Sequence, residues 1–357
     1  MRILVVGAGP TGLTAALEFA RQGIVPDIVD AKDEPSPLSR AVGILPNSIE
    51  ILDRVGVGER ILQEGARIKH VLIQRDGRAL IDLDISKIAG KERFLIGLPQ
   101  DRTEHLMSER LAEMGVTVRY GKKVTGVLTT ANDVSATFED GSTKTYDWVI
   151  GADGIRSTIR ESLGIAFDGY ELAEDWSIAD VELANGYDPN TIRAWLMRGA
   201  GAQRDAMVMA PITHNRVRLV SSTPDSLAAL PIRLDVKDVR RSGTFKISIR
   251  QARQYVKGRV VIAGDAAHVH SPVGGRGMNL GIDDAHAAVQ SILENKTEEY
   301  EVARKKIAAR IIRDTESIRK TLVSKNSFVA AFLISATWLV QHVPLLQQRF
   351  VREMLEL

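Results

Sequence analysis

The sequence predicts an α/β fold with an inserted, mainly antiparallel β-sheet and a C-terminal helical segment. Three features predict it. A strand, a glycine-rich turn and a helix follow one another three times, near the N-terminus, near residue 150 and near residue 265. Residues 67–97 and 167–249 alternate apolar and polar residues and contain no long helical pattern. A charged helical stretch and a strongly apolar one then end the chain.

The composition limits the class of protein. The 357 residues are enough for two domains of ordinary size or one large domain with an inserted layer. A hydrophobic content of 44% and a charged content of 26% are typical of a soluble globular protein. The net charge of +2 is too small to indicate a nucleic-acid partner, and the absence of cysteine excludes disulfides, cysteine metal sites and thiol catalysis. Because Met1 leads directly into the first predicted strand, we expect no signal peptide and a cytoplasmic location.

Residues 2–30 are predicted to form a βαβ unit. A buried strand leads into a GxGxxG turn (residues 7–12, the N-terminal motif), a helix follows, and a second strand ends at Asp30. Such a turn lets a pyrophosphate approach the helix N-terminus, and an acid after the second strand can bind ribose hydroxyl groups. An acid at this position disfavours a 2′-phosphate, so FAD or NAD fits this site better than NADP. The glycines of the turn are Gly7, Gly9 and Gly12.

The longest motif covers residues 259–285 (the C-terminal motif). An apolar strand stops at Gly264-Asp265, which leaves a carboxylate at the carboxyl end of the strand, where ligands bind in open α/β sheets. Pro272 and a glycine cluster come next, and a helix is predicted to begin near Met278. Free N–H groups at a helix start favour negative charge, so a flat ring that becomes anionic on reduction, such as a flavin, would be stabilised there. The clustered glycines are Gly274, Gly275 and Gly277.

This stretch resembles the second flavin motif of the single-component, FAD-dependent aromatic hydroxylases of the para-hydroxybenzoate hydroxylase type. The resemblance implies that Asp265 bonds the ribityl chain and that Pro272 lies beside the isoalloxazine. It also implies that the backbone around Gly277, Met278 and Asn279 faces the pyrimidine edge of the flavin. The family's three flavin motifs occur here in the family's order, so the resemblance covers nearly the whole chain.

A third strand–turn–helix unit, residues 151–160 (the middle motif), contains Asp153 and Gly154. It resembles the family's middle motif, which implies that the Asp-Gly pair supports the pyrophosphate side and lies near the path of a nicotinamide donor. Arg156 and Arg160 follow in the helix and are either binding residues or solvated helix charges; the sequence leaves this open. Ser157 in the first turn can satisfy free helix N–H groups.

Two further cofactor contacts are implied by the resemblance alone. Arg40 lies in a loop rich in proline and serine, where the family has an arginine that contacts the cofactor and can gate access to the flavin; a surface arginine is the alternative. Gln100 precedes a helix predicted from Arg102 to Met114, and in the family a glutamine at this boundary touches the cofactor.

The inserted sheet is predicted from a hairpin and five later strands. The hairpin turns at Asp76-Gly77, and a short helix is predicted near Ser226–Leu230. We expect the sheet to cover the reactive face of the flavin and to leave a pocket for a small organic substrate between the two layers. Trp176, Trp195, Met207 and Met209 either line this pocket or belong to the sheet core, and the core is the preferred interpretation. The later strands are predicted at Ser177–Leu183, Thr191–Met197, Ala206–Ile212, Arg216–Ser221 and Thr244–Ile249.

These features divide the chain into a Rossmann-like FAD-binding domain of the GxGxxG type, a substrate-binding sheet domain and a helical tail. The tail is strongly apolar from Phe328 to Val340, which is too short for the ~20 residues that span a bilayer. We expect, in order of preference, a helix packed on the protein's own surface, a homodimer contact or an interfacial membrane helix. The predicted ranges are 1–66, 98–166 and 250–325 for the FAD-binding domain, 67–97 and 167–249 for the sheet domain, and 326–357 for the tail.

The resemblance implies a monooxygenase. NADH or NADPH would bind transiently and reduce FAD, O₂ would add at the flavin C4a position to form a hydroperoxide, and its terminal oxygen would be transferred to an aromatic or polycyclic small molecule. No catalytic acid or base and no metal ligand is predicted; His270 and His286 receive no role, and His268 is interpreted as fixing the turn. A reductase or epoxidase of an isoprenoid-type lipid, and a non-catalytic protein that binds FAD and a ligand, remain alternatives. The sequence also leaves open the substrate, the choice between NADH and NADPH, and whether the product is a phenol, an epoxide or a lactone.

Overall fold

The computed structural model describes residues 1–35, 41–90, 94–198 and 204–356. The helices are α1 (Pro10–Arg21), α2 (Pro46–Arg54), α3 (Gly58–Glu64), α4 (Ile85–Ala89), α5 (Gln100–Glu113), α6 (Thr158–Ser162), α7 (Gly277–Leu293), α8 (Thr297–Leu322), α9 (Ser327–His342) and α10 (Pro344–Leu355), with a 3₁₀ turn at Gly264–Ala266. The first strands are β1 (Ile3–Val6), β2 (Asp27–Val29), β3 (Gly43–Ile44), β4 (Ala66–Ile68), β5 (His70–Arg75), β6 (Arg78–Asp84), β7 (Leu95–Gly97), β8 (Val118–Arg119), β9 (Val124–Thr129) and β10 (Val134–Phe138). The others are β11 (Thr143–Tyr146), β12 (Trp148–Gly151), β13 (Phe167–Leu183), β14 (Thr191–Arg198), β15 (Arg204–Thr213), β16 (Arg216–Ser221), β17 (Val236–Ala252), β18 (Val256–Lys257), β19 (Val260–Ile262) and β20 (His268–Val269).

A six-stranded sheet carries the three strand–turn–helix units, in the order β18-β19-β12-β1-β2-β8. All neighbours run parallel except the edge strand β18; Leu4, for example, pairs with Asp27 on one side and with Val149 on the other. Helices α1, α5 and α7 pack with the sheet in one large apolar core. Because the strands are parallel, the carboxyl ends of β1, β2, β12 and β19 meet at one edge, which brings the three motifs together. The predicted α/β fold and its N-terminal βαβ unit are confirmed.

An eight-stranded sheet has the order β20-β17-β13-β16-β15-β14-β5-β6. Its pairs are antiparallel except β14 and β5, which run parallel. The hairpin turn is where the sequence predicts it, with positive φ at Asp76 and Gly77. Strand β20 belongs to the C-terminal motif, and through it this motif pairs with β17.

Several predicted boundaries are corrected. Strands β13 and β17 are each 17 residues long. Residues 167–175 of β13 and 236–246 of β17 are largely exposed, so they lack the buried alternation on which the predicted bounds depend. The segment near Ser226–Leu230 forms turns instead of a helix, since the Asp225 carboxylate accepts hydrogen bonds from the N–H groups of Leu227 and Ala228. Helix α5 begins at Gln100, two residues earlier than predicted, and α7 begins at Gly277.

The tail forms helices α9 and α10. Helix α9 packs on β6 and on α10, and α10 packs on α4, so part of the tail covers the protein's own surface as expected. Among the described residues, no helix combines the length and the apolar character needed to cross a bilayer.

Candidate functional site

The N-terminal motif leaves an open space in front of α1. A Cβ at Gly7, which has a φ of +103°, would lie 2.3 Å from Ala152 O, and a Cβ at Gly12 would lie 1.8 Å from Gly7 O. Packing against the middle motif therefore excludes a side chain at Gly7, and the backbone of the turn itself excludes one at Gly12. A Cβ at Gly9 would meet nothing within 4 Å. Gly9 thus lines the space where a phosphate group can approach the helix N-terminus.

Asp30 stands directly after β2, beside this turn. Its carboxylate accepts hydrogen bonds from the N–H of Ala8 (2.7 Å) and from the N–H of Lys32 (2.9 Å). The carboxylate is therefore held next to the glycine turn, as a ribose-binding acid needs to be. Its contact with a ribose stays a prediction.

The middle motif contains a buried oxygen atom without a hydrogen-bond partner. Asp153 Oδ2 accepts from Ile159 N (3.1 Å), but Asp153 Oδ1 is buried and has no partner among the described residues. Burial raises the pKa of this carboxyl group. A native protein seldom leaves such an acceptor unsatisfied, so a donor from a bound group fits here. Gly154 follows at the turn.

Arg160 is not a solvated helix charge. Its guanidinium is buried, donates to Ala266 O and Ile155 O (both 3.0 Å), and lies 4.0 Å over the ring of Phe167. It therefore braces the middle motif against the C-terminal motif. Arg156 is exposed, and the Ser157 hydroxyl caps α6 as expected by accepting from Arg160 N.

The C-terminal motif ends in a surface loop that leads into α7. Gly264 opens a 3₁₀ turn after β19, and Asp265 is exposed at the carboxyl end of that strand. Pro272, Gly274 and Gly275 are exposed in the loop, and Gly275 N donates to Pro272 O (3.0 Å). Asp30, Asp153 and Asp265 thus follow the ends of β2, β12 and β19, which occupy four consecutive positions of the sheet together with β1.

The start of α7 presents backbone N–H groups and a fixed asparagine. Leu280 N is the first to bond back into the helix, to Arg276 O (2.9 Å), so the N–H groups of Gly277, Met278 and Asn279 precede the helical hydrogen bonds. These groups can bind an anionic ring edge.

The side chain of Asn279 is occupied by the protein itself. Its Oδ1 accepts from Leu45 N (2.8 Å), and its Nδ2 donates to Gly43 O (2.9 Å) and Gly275 O (3.2 Å). Asn279 therefore holds the segment of β3 against the start of α7. The sequence analysis missed this segment, because a contact across 234 positions of the chain leaves no local pattern.

Gln100 lies at the start of α5 and forms a hydrogen bond to Ala41 in the neighbouring loop. Its Oε1 accepts from Ala41 N (3.2 Å), and its Nε2 donates to Glu104 Oε1 (2.8 Å). Burial raises the pKa of Glu104. Arg40, the predicted gating residue, lies outside the described residues.

A buried ion pair reaches the same loop from the eight-stranded sheet. Arg218 and Asp180 form a bidentate pair with two contacts of 2.6 Å, and Arg218 Nη1 also donates to Ala41 O (3.3 Å). Both side chains are buried. Sequence analysis missed this pair, although an acid and an arginine inside otherwise apolar strands are a signal for one.

The three histidines in or near the C-terminal motif form hydrogen bonds within the protein. His268 Nε2 bonds to the buried carboxylate of Asp284, which also accepts from Gly264 N (3.1 Å), so the interpretation of His268 as fixing the turn is confirmed. His270 donates from Nδ1 to Ser271 O (2.8 Å), and burial lowers its pKa to about 4. His286 bonds to Glu18 on α1.

The four apolar candidates for the substrate pocket belong to the core. Trp195, Met207 and Met209 are buried in one cluster of the eight-stranded sheet, and Trp176 is buried in another. The preferred interpretation is confirmed.

The motifs together offer the groups that FAD requires. They supply an open helix N-terminus for the pyrophosphate, carboxylates at three strand ends for hydroxyl groups, an unsatisfied buried acceptor at Asp153 and free N–H groups at α7 for the ring. Among the described residues, no group of acids and histidines is arranged to hold a metal ion.

Comparison with known proteins gives a consistent result. The model of the FAD binding domain family matches residues 1–223 and 228–315. The chain is 30% identical over 360 residues to 6-methylpretetramide 4-monooxygenase of Streptomyces rimosus, covering 91% of this chain and 63% of that protein. It is 30% identical over 297 residues to rifampicin monooxygenase of Streptomyces venezuelae, covering 79% of this chain and 62% of that protein. The chain therefore spans somewhat less than two thirds of the length of these relatives. The crystal structure of p-nitrophenol 4-monooxygenase PnpA from Pseudomonas putida shares the fold, with a TM-score of 0.85 at 22% identity over 99% of this chain and 97% of that one.

Proposed function

The chain belongs to the FAD binding domain family, and we propose that it is an FAD-dependent monooxygenase, since two relatives that are 30% identical to it are monooxygenases. It uses NADH or NADPH and O₂ to hydroxylate an aromatic or polycyclic small molecule through a flavin C4a-hydroperoxide. The flavin supplies the electron transfer and the activation of oxygen. The protein supplies binding, orientation and charge stabilisation.

The observation that carries this proposal is the convergence of three glycine–acid turns and the start of α7 at one edge of the parallel sheet. Asp30 binds the ribose of the adenosine, the space at Gly9 takes the pyrophosphate, and Asp265 binds the ribityl chain. Oδ1 of Asp153 accepts a hydrogen bond from the cofactor. The N–H groups from Gly277 onward stabilise negative charge on the reduced ring.

Other members of the site act on the backbone that surrounds the ring. Asn279 and Gln100 hold the segments of Gly43–Leu45 and Ala41, so these segments form a rigid wall. Arg40 contacts the cofactor from the adjacent loop. Pro272, Gly274 and Gly275 allow the ring to lie flat against the loop before α7, and Gly154 supports the pyrophosphate side at the middle motif.

The substrate binds between the two sheets. Residues 1–66, 98–166 and 250–325 form the FAD-binding domain, residues 67–97 and 167–249 form the substrate-binding sheet domain, and residues 326–357 form the tail. The pairing of β5, β6 and β13–β17 in one sheet supports this division, and β20, in the range 250–325, joins that sheet at its edge. The GxGxxG turn occurs once in the sequence, which supports a nicotinamide cofactor that binds only transiently. We place the protein in the cytoplasm, where both NADH and NADPH are present.

The test is rapid mixing of the anaerobically reduced, FAD-loaded protein with oxygenated buffer, followed by absorbance in the near ultraviolet. We expect a transient C4a-adduct band before the oxidised spectrum returns. Phenols and polycyclic aromatics should then be screened with ¹⁸O₂, and label in a hydroxylated product identifies the reaction. Reduced free FAD, mixed in the same way, is the control, because water-exposed flavin does not accumulate the adduct.

Direct return to oxidised flavin with these substrates present would contradict the proposal. It would favour a flavin-dependent reductase or a non-catalytic protein that binds FAD and a ligand. A labelled epoxide from an isoprenoid lipid would instead identify an epoxidase.

A further inference from the structure

The outer face of α9 is an exposed aromatic and aliphatic surface. Phe328, Phe332, Trp338 and Leu339 are exposed by 83%, 70%, 58% and 43%, and Leu345 at the start of α10 by 75%. The four residues of α9 recur at helical spacing, so they form one stripe along the helix. We call these five residues the aromatic stripe.

The exposure of the stripe follows from how α9 is held. On the opposite face Thr337 is buried and Val340 packs against the apolar cluster under β6. Gln341 Oε1 accepts from Asp82 N (2.8 Å), and Gln341 Nε2 donates to Asp82 O (3.3 Å). The helix therefore cannot turn its aromatic side chains inward without losing these contacts. Large aromatic side chains carry roughly 150–250 Å² each, so the exposed apolar patch reaches several hundred Å², the size that marks an interaction surface.

Charges surround the stripe but do not enter it. Residues 326–348 contain no Asp, Glu, Lys or Arg. Exposed Lys320 and Lys325 lie before this segment, and exposed Arg349 and Arg352 follow it, on the same face of α10 as Leu345. Acids are present at both ends, where Glu316 pairs with Lys320 (3.4 Å) and Glu353 pairs with Arg349 (2.9 Å). Both ends of the stripe nevertheless carry exposed basic side chains.

This distribution of charge favours one of two binding partners for the aromatic stripe, a second copy of the chain or an anionic bilayer. A second copy of the chain, packed through α9 about a two-fold axis, would place a basic end of one helix opposite a basic end of the other in either orientation, which opposes association. An anionic bilayer attracts both ends at once. Helix α9 has 16 residues, fewer than the ~20 that span a bilayer, and its opposite face packs on the protein, so a lipid contact of its exposed face runs along the surface.

We propose that the aromatic stripe docks on an anionic lipid surface. Helix α9 lies parallel to that surface, Phe328, Phe332 and Trp338 enter the headgroup region, and the basic residues at both ends contact lipid phosphates. The proposal is independent of the reaction, since it does not involve the flavin site.

The full-length, FAD-loaded protein is tested with vesicles of phosphatidylcholine alone and of phosphatidylcholine mixed with phosphatidylglycerol. We expect co-sedimentation with the anionic vesicles and much less with the neutral ones. Tryptophan fluorescence then locates the contact, because Trp338 is 58% exposed whereas Trp148, Trp176 and Trp195 are each 5% exposed. Brominated lipids should quench Trp338 selectively.

Two matched variants test the residues. Phe332→Glu should weaken vesicle binding by roughly tenfold or more, since it replaces an inserted aromatic ring by a charge. Val302→Glu, at a position of α8 that is 72% exposed, introduces the same charge away from the stripe and should leave binding unchanged. Lys325→Gln and Arg349→Gln should each weaken binding to anionic vesicles by roughly fivefold.

Three outcomes would overturn the proposal. The first is the absence of vesicle binding by a monomeric protein. The second is a mass that doubles with concentration and returns to the monomer value in Phe332→Glu, which would assign the stripe to a second copy of the chain. The third is vesicle binding without quenching by brominated lipids, which would place the lipid contact elsewhere. In all three cases the oxygen-adduct experiment is unaffected, so the two proposals fail separately.

Discussion

At the scale of the residue, one buried carboxylate holds the C-terminal motif together. Asp284 accepts hydrogen bonds from Gly264 N in the turn, His268 Nε2 in β20 and Arg304 Nε in α8. Burial alone would raise the pKa of Asp284, but the charges and hydrogen bonds of His268 and Arg304 hold it below its usual value. The turn that ends in Asp265 is therefore positioned by an ionised group in the core.

The first prediction concerns Asp284→Asn. The amide removes the fully buried counter-charge of Arg304, which keeps its pair with the half-buried Asp283, so we expect a loss of up to about 3 kcal/mol in the free energy of unfolding and weaker FAD binding. Thermal unfolding and flavin fluorescence titration measure the two effects. Asp283→Asn is the control: Asp283 also pairs with Arg304, but it does not contact the Gly264 turn, so FAD affinity should change little. Equal losses of FAD affinity in both variants would contradict the role of Asp284.

The second prediction concerns how the difference in unfolding free energy between the wild type and Asp284→Asn depends on pH. The pKa of Asp284 is lower in the folded protein than its ordinary value of 3.8. Its stabilising contribution is therefore complete above the unfolded pKa and is lost as the pH falls through the folded pKa. The gap in unfolding free energy between the wild type and Asp284→Asn should narrow below about pH 4. A gap that is constant down to strongly acidic pH would assign the stability to packing instead.

The third prediction concerns Asp153, whose unsatisfied Oδ1 is costly without a ligand. Because burial raises its pKa, ionised Asp153 makes the FAD-free protein less stable as the pH rises through the folded pKa. Asp153→Asn should leave the FAD-free protein as stable as the wild type or more stable by about 1 kcal/mol, while FAD binding weakens by roughly tenfold. Unfolding with and without FAD measures both. A variant that is less stable without FAD and binds it normally would refute the assignment.

At the scale of the element, the close contact of α1 with α7 brings the N-terminal and C-terminal motifs together. A Cβ at Gly281 of α7 would lie 2.3 Å from Thr11 Oγ1 in α1, and a Cβ at Gly264 would lie 2.5 Å from the same atom. Glycine at these two positions allows the backbones of α7 and of the Gly264 turn to approach α1. This contact explains a glycine inside α7, where glycine is otherwise unfavourable.

The fourth prediction uses this contact. Gly281→Ala should destabilise the FAD-free protein, because the clash with Thr11 exceeds the gain in helix propensity. In a Thr11→Ala background the same substitution should stabilise it by up to about 1 kcal/mol, since only the helix propensity then remains. A double-mutant cycle by chemical denaturation measures the change of sign. The same sign in both backgrounds would show that the contact does not limit the approach of the helices.

At the scale of the whole molecule, helix α5 and the eight-stranded sheet both contact the loop that contains Ala41. Gln100 at the start of α5 accepts from its N–H, and Arg218 of the eight-stranded sheet donates to its carbonyl. Strand β20 and the Asn279 side chain make two further connections near the proposed ring site. The proposed flavin and substrate regions are therefore joined at the Ala41 loop and at the pairing of β20 with β17.

The fifth prediction separates stability from coupling at this loop. Arg218→Met leaves Asp180 buried and unpaired and should cost about 3–5 kcal/mol of unfolding free energy. The double variant Arg218→Met, Asp180→Leu should recover most of it, because both charges are gone. Hydrogen exchange at residues 41–45 should remain faster than in the wild type in both variants, since the bond to Ala41 O is lost. Wild-type exchange in the double variant would show that Gln100 and Asn279 hold the loop without Arg218.

The parts predicted correctly from sequence are those with local patterns. The GxGxxG turn, the hairpin at Asp76-Gly77 and the helix after Gly277 each depend on residues that are close in the chain. The missed parts of β13 and β17 lack buried alternation because they are largely exposed, and each pairs with the predicted part of the other strand. The segment near Ser226 failed for a different reason, since the Asp225 side chain competes for the backbone N–H groups that a helix would use.

The sequence by itself determined the strand–turn–helix units, their order and the acids at their ends, because strand length, glycine position and helical periodicity act over a few residues. Only the tertiary structure decided which side chains meet: Asn279 with Leu45, Asp284 with Arg304, and Arg218 with Asp180. It also decided that α9 turns Thr337 toward the protein and Phe332 toward solvent, although both belong to one apolar run. The reason is that a local pattern specifies the conformation of a segment, whereas the partner of a buried charge or the covered face of a helix depends on elements far away in the chain.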